Sequence, residues 1–553
     1  MSNQQKTIFG IDLGTTYSCI SYIDQHGNAV IVPNKEHQLT TPSVVLFEGK
    51  QRIVGEEAKN SALLSPEAVV EMIKRHMGEA NWRFLYEGKE YAPEEISSYI
   101  LRKLVADAEE ALGVPVQDVV ITCPAYFGIA QREATVRAGE IAGLTVHEII
   151  NEPTAAAITY GLQSAENQVV LVYDLGGGTF DITIIEIKDS KISVIATGGD
   201  HTLGGRNWDE AIVGYLAQQW QAETSSLEDP TDSPETLQDL WLKAERAKRS
   251  LTARKSTKVV VTHGGKTVKV TLTRDKFDEL TAGLLDRTAL FTKMTMDEAR
   301  KRGYNNFDLV LLVGGSTRMP QISARLEREF GLPLRIFEPD EAVARGAAMY
   351  GQKLLFNQHL KEKQAVPAGT ATIDQAASAK QAHLEIARAL GLPDEAVEKL
   401  ASTEITNVTS HSFGVIVTID FQTSREREVA ENLVLVNDPL PAFRMHTYGT
   451  LEADQEIVEL RIIENGQESE IVELEEFQEL EELGKIILPL PPGLPANAPI
   501  EVTFELDRQG ILHVTGREPK SGATSDATFE ARGGITAEEV QEAKVRSSKI
   551  TIL

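Results

Sequence analysis

The chain has 553 residues, enough for two to four domains, and its 42% hydrophobic and 25% charged content is that of a folded globular protein. A formal net charge of −27 argues against a nucleic-acid-binding body, which needs a basic face, and no apolar run approaches the roughly 18–20 residues of a membrane span. Only Cys19 and Cys123 are available for disulfides, both in apolar strand-like runs, and MSNQQKTIFG has no charged-then-apolar leader, so a reducing, cytoplasmic setting is expected. The eleven histidines form no HExxH pattern and no paired spacing with the cysteines, so no zinc is expected.

In chain order, Thr7 to Asp24 reads as apolar strand, Asp12-Leu13-Gly14, hydroxyl residues, then a second apolar strand. Pro66 to Met77 and Pro93 to Leu112 read as helices, the second followed by Gly113. Asp118 to Thr122 is a strand ending at Pro124, and Gln131 to Gly143 is helical. Val169 to Ile187 repeats the first hairpin, with Asp174 ahead of Gly176, Gly177 and Gly178. Leu237 to Leu251 is a basic amphipathic helix, Lys255 to Leu272 a strand pair, and Leu309 to Val313 a buried strand running into Gly314 and Gly315. Gly264-Gly265-Lys266-Thr267 imitates the end of a P-loop, but strands flank it on both sides, so it is a hairpin turn. Lys361 to Ser378 reads as a linker, and Ala376 to Leu390 and Pro393 to Leu400 as two helices. Ile405 to Thr515 carries short strands between turn signals, a β-sandwich pattern, with an acidic face and loop at Glu464 to Glu482. Ala537 to Val545 is a short helical end.

The two Asp-Leu-Gly hairpins carry the chemistry. A glycine triplet lets the backbone approach an anion and point successive N–H groups at it. A carboxylate beside such a nest repels bare phosphate but suits hydrated Mg²⁺ between them. The same unit repeated at domain-sized spacing suggests two related subdomains gripping a polyphosphate from both sides.

Nine stretches, in order, resemble the seventy-kilodalton heat-shock (DnaK-type) chaperone family: GIDLGTTYS, LTTPSVV, VGEEAKN, VVITCPAYFGIAQREAT, INEPTAAAITYG, DLGGGTFD, Leu203 to Gly205, LVGGSTRMP and PDEAVARGAA. They cover about the first 350 residues; LGKIILPLPPGLPANAPIEVTFELDRQGILHVTGREPKSG and Asn437 to Pro441 extend the likeness more weakly. The resemblance implies an α/β actin-like (ribonuclease H-like) two-lobed ATPase over 1–355. A linker with two helices over 356–404, a β-sandwich peptide-binding domain over 405–516 and a short tail over 517–553, with the family's helical lid absent or truncated, would follow.

What the resemblance implies for the site is specific. Asp12, Asp174 and Asp181 would hold Mg²⁺ largely through water, with K⁺ a further candidate cation. Gly14, Thr15, Thr16, Gly176, Gly177, Gly178 and Thr179 would donate to the phosphates of ATP or ADP, and Tyr17 would also contact the nucleotide. Lys74 matches the catalytic lysine, and Glu152 the residue orienting the attacking water; a helix-start role for Glu152 is compatible. Glu245, Lys248, Arg249 and Thr252 match the adenosine-contacting helix, Gly314, Gly315, Ser316 and Arg318 the loop under adenine, and Asp340 an acid on the ribose or ion side. Pro124 and Arg132 match the interdomain relay, and Leu451 and Val458 the peptide pocket. Expected partners are unfolded or apolar peptide segments, a J-domain cochaperone and a nucleotide exchange factor, with no nucleic acid and no membrane.

Other readings are a sugar kinase of the same fold, an actin-like filament protein, and a holdase whose nucleotide and peptide sites are weakly coupled. The last rests on a departure: Ser402 to Val415 lacks the family's leucine run, offering only Ile405 and Val408 for docking. The preceding helices could compensate through Leu384, Ala387 and Leu390, and through Val397 and Leu400. On that reading ATP changes peptide affinity less than about tenfold, or roughly 1.4 kcal/mol.

Overall fold

Two six-stranded sheets of one plan organise the chain from Phe9 to Thr406. The computed structural model describes residues 7–163, 166–189, 191–364, 375–474, 481–508, 510–529 and 535–553. In the first sheet the order is Thr145–Asn151, Asp118–Cys123, Phe9–Asp12, Tyr17–Ile23 and Ala29–Ile31, with Thr41–Pro42 beside Tyr17–Ile23. In the second it is Leu334–Ile336, Leu309–Val313, Gln168–Leu175, Phe180–Lys188, Lys191–Asp200 and Glu404–Thr406. Each sheet has two parallel strands on one side of the strand that ends in Asp-Leu-Gly, and an antiparallel pair on the other. The repeat visible at Asp12 and Asp174 is therefore the repeat of a whole sheet. Leu309–Val313 is buried throughout, as a strand covered on both faces must be.

The lobes meet at their base through helices Glu152–Gln163 and Ala342–Gln364. A Cβ on Gly346 would lie 1.8 Å from the Ala155 carbonyl oxygen, and one on Gly10 would lie 2.1 Å from Ala348 N. Backbones this close admit only small residues, which is what NEPTAAA and AVARGAA supply: Ala155, Ala156, Ala344, Ala347 and Ala348 are fully buried.

Several elements differ from expectation. Pro66 to Met77 is not one helix but a single turn, Pro66–Ala68, a strand, Val69–Val70, and a second turn, Ile73–His76. Pairing of Val69 and Val70 with Val45 and Leu46 buries apolar surface in the first lobe and overrides helix propensity. The helix begun at Ala342 runs on to Gln364, past the expected boundary at 355, and residues 365–374 of the expected linker lie outside the described set. The inserted helices, Gln375–Leu390 and Asp394–Ser402, bury Ile386, Ala387, Leu390 and Val397 in a core shared with the second sheet. Leu384 is half-buried, and the Leu400 side chain lies outside the described set.

Ile405 belongs to the second sheet rather than to the β-domain: Glu404, Ile405 and Thr406 pair in parallel with Lys191, Ile192 and Ser193. Backbone pairing does not require the missing leucines. The sandwich itself begins at Ser412 and ends at Phe529, a five-stranded sheet packed on a four-stranded one around Phe413, Leu460, Ile462, Val502, Phe504 and Val514. It rests on both lobes. Val408 is buried, Thr197 N donates to Asn437 Oδ1 at 2.8 Å, and Arg302 Nη1 donates to the Asn437 carbonyl at 2.6 Å. Glu464 Oε1 accepts from Ile129 N at 3.4 Å, serving the Ile129–Ile141 helix, whose Gly128 has no side chain to cap it.

The last segment returns to the first lobe. Helix Ala537–Ser548 packs on helices Pro93–Leu112 and Ile129–Ile141, and Thr551–Ile552 adds in parallel to Gln51 and Arg52. Arg102 donates to the carbonyls of Ser547 and Ile550 at 2.5 and 3.1 Å. Arg546 makes a two-pronged pair with Glu95, at 3.1 and 2.6 Å, and Glu95 is buried. Removing the guanidinium leaves that carboxylate without its cation. Arg546 is half-exposed, so the cost lies below the 3–5 kcal/mol of a fully buried pair, at about 1–2 kcal/mol. Arg546→Ala should lower the first urea-unfolding midpoint accordingly, and adding Glu95→Gln should recover most of the loss; an unchanged midpoint would show that the tail contributes no stability through this pair.

Candidate active site

The two Asp-Leu-Gly turns face each other and touch. A Cβ on Gly177 would lie 2.1 Å from Thr16 Oγ1, and one on Gly178 would lie 2.4 Å from Thr15 Cγ2. Behind them Gly205 N donates to the Gly176 carbonyl at 2.9 Å, and Ser316 Oγ donates to the same oxygen at 2.9 Å. A cavity of about 520 Å³ opens in front of these turns.

Most of the residues singled out from the sequence line it. Asp12, Gly14, Thr15, Thr16 and Tyr17 come from the first hairpin, and Asp174, Gly176, Gly177 and Thr179 from the second. Lys74 enters from the Ile73–His76 turn and Glu152 from a helix start. Glu245, Lys248, Arg249 and Thr252 line the far wall on one helix, with Gly314, Gly315, Ser316, Arg318 and Asp340 beneath. Arg318 Nη2 donates to Asp340 Oδ2 at 2.6 Å, and Lys248 Nζ donates to Asp209 Oδ2 at 2.8 Å.

Others lie outside the cavity wall. Gly178 gives its carbonyl to Arg75, and Asp181 Oδ1 accepts from Ala125 N at 2.9 Å, next to buried Pro124. Arg132 donates to Asn151 Oδ1 and borders a small pocket between the first lobe and the β-domain, with Phe413 and Glu464. Leu451 is exposed on a loop of the β-domain, and Val458 packs, half-buried, on its core. Neither borders the large cavity or the interdomain pocket.

The floor is acidic. Asp174 and Glu152 are buried there, half-buried Asp12 faces them, buried Asp181 lies behind, and one ammonium, Lys74, bonds to Glu152 Oε1. Burial, with the Glu152 charge adding to it, pushes Asp12 up to about 7. Burial and then Glu152 also raise Asp174 and Asp181 well above the carboxylate range. Burial works against the Lys74 ammonium, but Glu152 and Asp12 more than offset it, and its pKa is raised. Among the described residues no three acidic, histidine or cysteine side chains are grouped to hold an ion directly. Carboxylates short of positive charge beside a phosphate nest fit a divalent cation held mostly through water.

The Hsp70 protein family matches residues 8–364 and 391–551. The chain belongs to that family. It is an ATP-dependent molecular chaperone and hydrolyses ATP. Similar proteins include those named "Chaperone protein DnaK" from two strains of Halobacterium salinarum, each 37% identical over 543 residues, 97% of this chain and 77% of the relative. The match omits residues 365–390, so the whole of the first inserted helix lies outside the family pattern. Membership does not favour the sugar-kinase, filament or weakly coupled holdase readings.

This Hsp70 chain also places at the cleft residues that sequence reasoning left without a role. Lys59, within the VGEEAKN stretch, pairs with Glu245 across the cleft at 2.6 Å and donates to the Tyr17 hydroxyl at 3.0 Å. Arg75, Glu71, Arg206 and Trp241 lie at the same mouth, and no local pattern marks them because their partners are distant in sequence.

The interlocked turns make a direct test. Gly177→Ala should weaken ATP binding at least tenfold in calorimetry, because its methyl group cannot share space with Thr16. Gly466→Ala, where a Cβ meets nothing within 4 Å, should leave binding unchanged. Equal affinity of the two variants would show that the turns need not touch for nucleotide to bind.

Proposed function

We propose that ATP lies across the two touching turns with its γ-phosphate toward Lys74 and Glu152. The observation that carries this reading is the buried Lys74–Glu152 pair, aimed at the floor between Asp12 and Asp174. Backbone N–H groups of the turns and the hydroxyls of Thr15, Thr16 and Thr179 would hold the phosphates. Mg²⁺, held through water by Asp12 and Asp174 with Asp181 behind, would neutralise phosphate charge, and K⁺ is a candidate for the same acidic floor. Glu152 would accept the proton of the attacking water while the Lys74 ammonium holds that water and offsets charge developing on the phosphoryl oxygens. Glu245, Lys248, Arg249 and Thr252 would face the adenosine from one wall, Gly314 to Ser316 and Arg318 from below, and Asp340 the ribose side. The two sheets of one plan support an actin-like lobe pair, and the two buried free cysteines suit the reducing cytoplasm.

Glu152→Gln retains the hydrogen bond to Lys74 but cannot take a proton. It should bind ATP with unchanged affinity and slow single-turnover hydrolysis by about 10²–10⁴-fold. Lys74→Ala should slow it by about 10²–10³-fold. A loss of ATP affinity matching the loss of rate would make both residues structural.

The β-domain would take extended apolar segments of unfolded proteins, Leu451 and Val458 contributing to the pocket. Exposed Phe443 and Met445, on one face of strand Ala442–Gly449, support an apolar peptide surface there. A J-domain cochaperone and an exchange factor would act on this cycle, and Pro124 and Arg132, near Asp181 and the interdomain pocket, would relay between the sites. Because Glu404–Thr406 docks by backbone pairing, counting linker side chains underestimates coupling. Peptide affinity should differ by tenfold or more between ATP and ADP, read by titrating a labelled apolar peptide under each nucleotide; equal affinities would remove ATP gating from the reading.

A further inference from the structure

The turn that carries Lys74 is gripped from both sides by the opposite lobe. Glu71 and Arg75 flank Lys74, and Met72 between Glu71 and the Ile73–His76 turn has φ +59°, a left-handed conformation uncommon for a residue with a side chain. Such a turn does not hold its shape by local preference, so its outer contacts matter. On one side Arg75 Nε and Nη2 donate to the Gly178 carbonyl at 3.1 and 2.7 Å, and Nη2 also reaches Asn207 Oδ1 at 3.2 Å. On the other, Glu71 Oε2 lies 3.6 Å from Arg206 Nη1, and Glu71 Oε1 accepts from Gln238 Nε2 at 3.4 Å. Arg206 sits on helix Gly205–Thr224 and Gln238 on helix Pro234–Ala253, both in the second lobe. The Arg206 guanidinium lies 3.4 Å over the centre of the Trp241 ring, which fixes its plane.

We propose that Glu71 and Arg206, with Trp241 beneath, form a cross-cleft clasp that positions Lys74 for hydrolysis. They are positioning residues: neither touches the reacting atoms, and both act through the turn between them. An ion pair at 3.6 Å between half-buried side chains is by itself a loose contact. The stacked ring restricts Arg206 beforehand, and Glu71 is only three residues from the catalytic ammonium, so a small displacement of Glu71 is a displacement of Lys74.

The full chain provides the test. Glu71→Ala and Arg206→Ala should each lower the single-turnover hydrolysis rate about tenfold while ATP Kd stays within about twofold. Because the two share one interaction, the double variant should be no slower than either single one. Arg206→Lys, which keeps a cation over the ring, should retain at least half the wild-type rate. The nucleotide-induced change in Trp241 fluorescence, isolated by subtracting the Trp241→Phe variant, should be lost in Arg206→Ala. Wild-type rates in the single variants, multiplicative losses in the double variant, or losses confined to ATP affinity would each overturn the proposal. Circular dichroism and thermal melting of each variant separate these outcomes from misfolding.

Discussion

The structure depends on a contact that only hydrogen atoms can make. At Gly177 and Gly178 the second lobe presents bare backbone to Thr16 and Thr15 of the first, at separations no Cβ could occupy. Nearly everything at the cleft follows from that meeting. It brings two runs of N–H groups to one place, and it lets Arg75 reach the Gly178 carbonyl. It also puts Asp12 and Asp174 on one floor, where burial and then the Glu152 charge raise the affinity of both for protons.

A second backbone contact, at the base of the cleft, has the same cause. Gly10 and Gly346 admit helix Ala342–Gln364 against the first sheet and against helix Glu152–Gln163. Glu152 is the first residue of the latter helix, so the packing of Ala155 under Gly346 also fixes the start of the helix that presents Glu152 to Lys74. The small-residue motifs thus hold the base together and also set the position of the residue proposed to orient the attacking water. Enlarging an alanine there would overpack the base and displace the carboxylate above it.

What was legible in the sequence was local or repeated. The Asp12 and Asp174 hairpins were visible because apolar runs, a carboxylate and glycines recur in one order. Helix Pro93–Leu112 was visible because Pro opens it and Gly113, in a left-handed conformation, closes it. The Lys74 turn was misread because Val69, Val70, Ile73 and Met77 fall at spacings that imitate a helix, while the pairing that breaks it comes from Val45 and Leu46. Strand Glu404–Thr406 carries no strand signal of its own; its pairing is supplied by the edge at Lys191–Ser193. The extent of the C-terminal helix was nearly readable, but its seat on the first lobe depends on Glu95 and Arg102, which look like ordinary helix-surface charges.

The two ends of the cleft are held by different physics. Its base is apolar and closely packed, with alanines and glycines excluding water, so salt has little to screen there. Its mouth is tied by charge: Lys59 to Glu245, Glu71 to Arg206, and Arg75 to a carbonyl, all with partly exposed side chains. Ionic conditions therefore act on the mouth far more than on the base. Lys74 stands between the two regimes. Its partner Glu152 belongs to the packed base, while its neighbours Glu71 and Arg75 belong to the charged mouth. Lys74 is thus referenced to both lobes at once, and in the proposed catalytic role its position is right only when the two ends of the cleft agree.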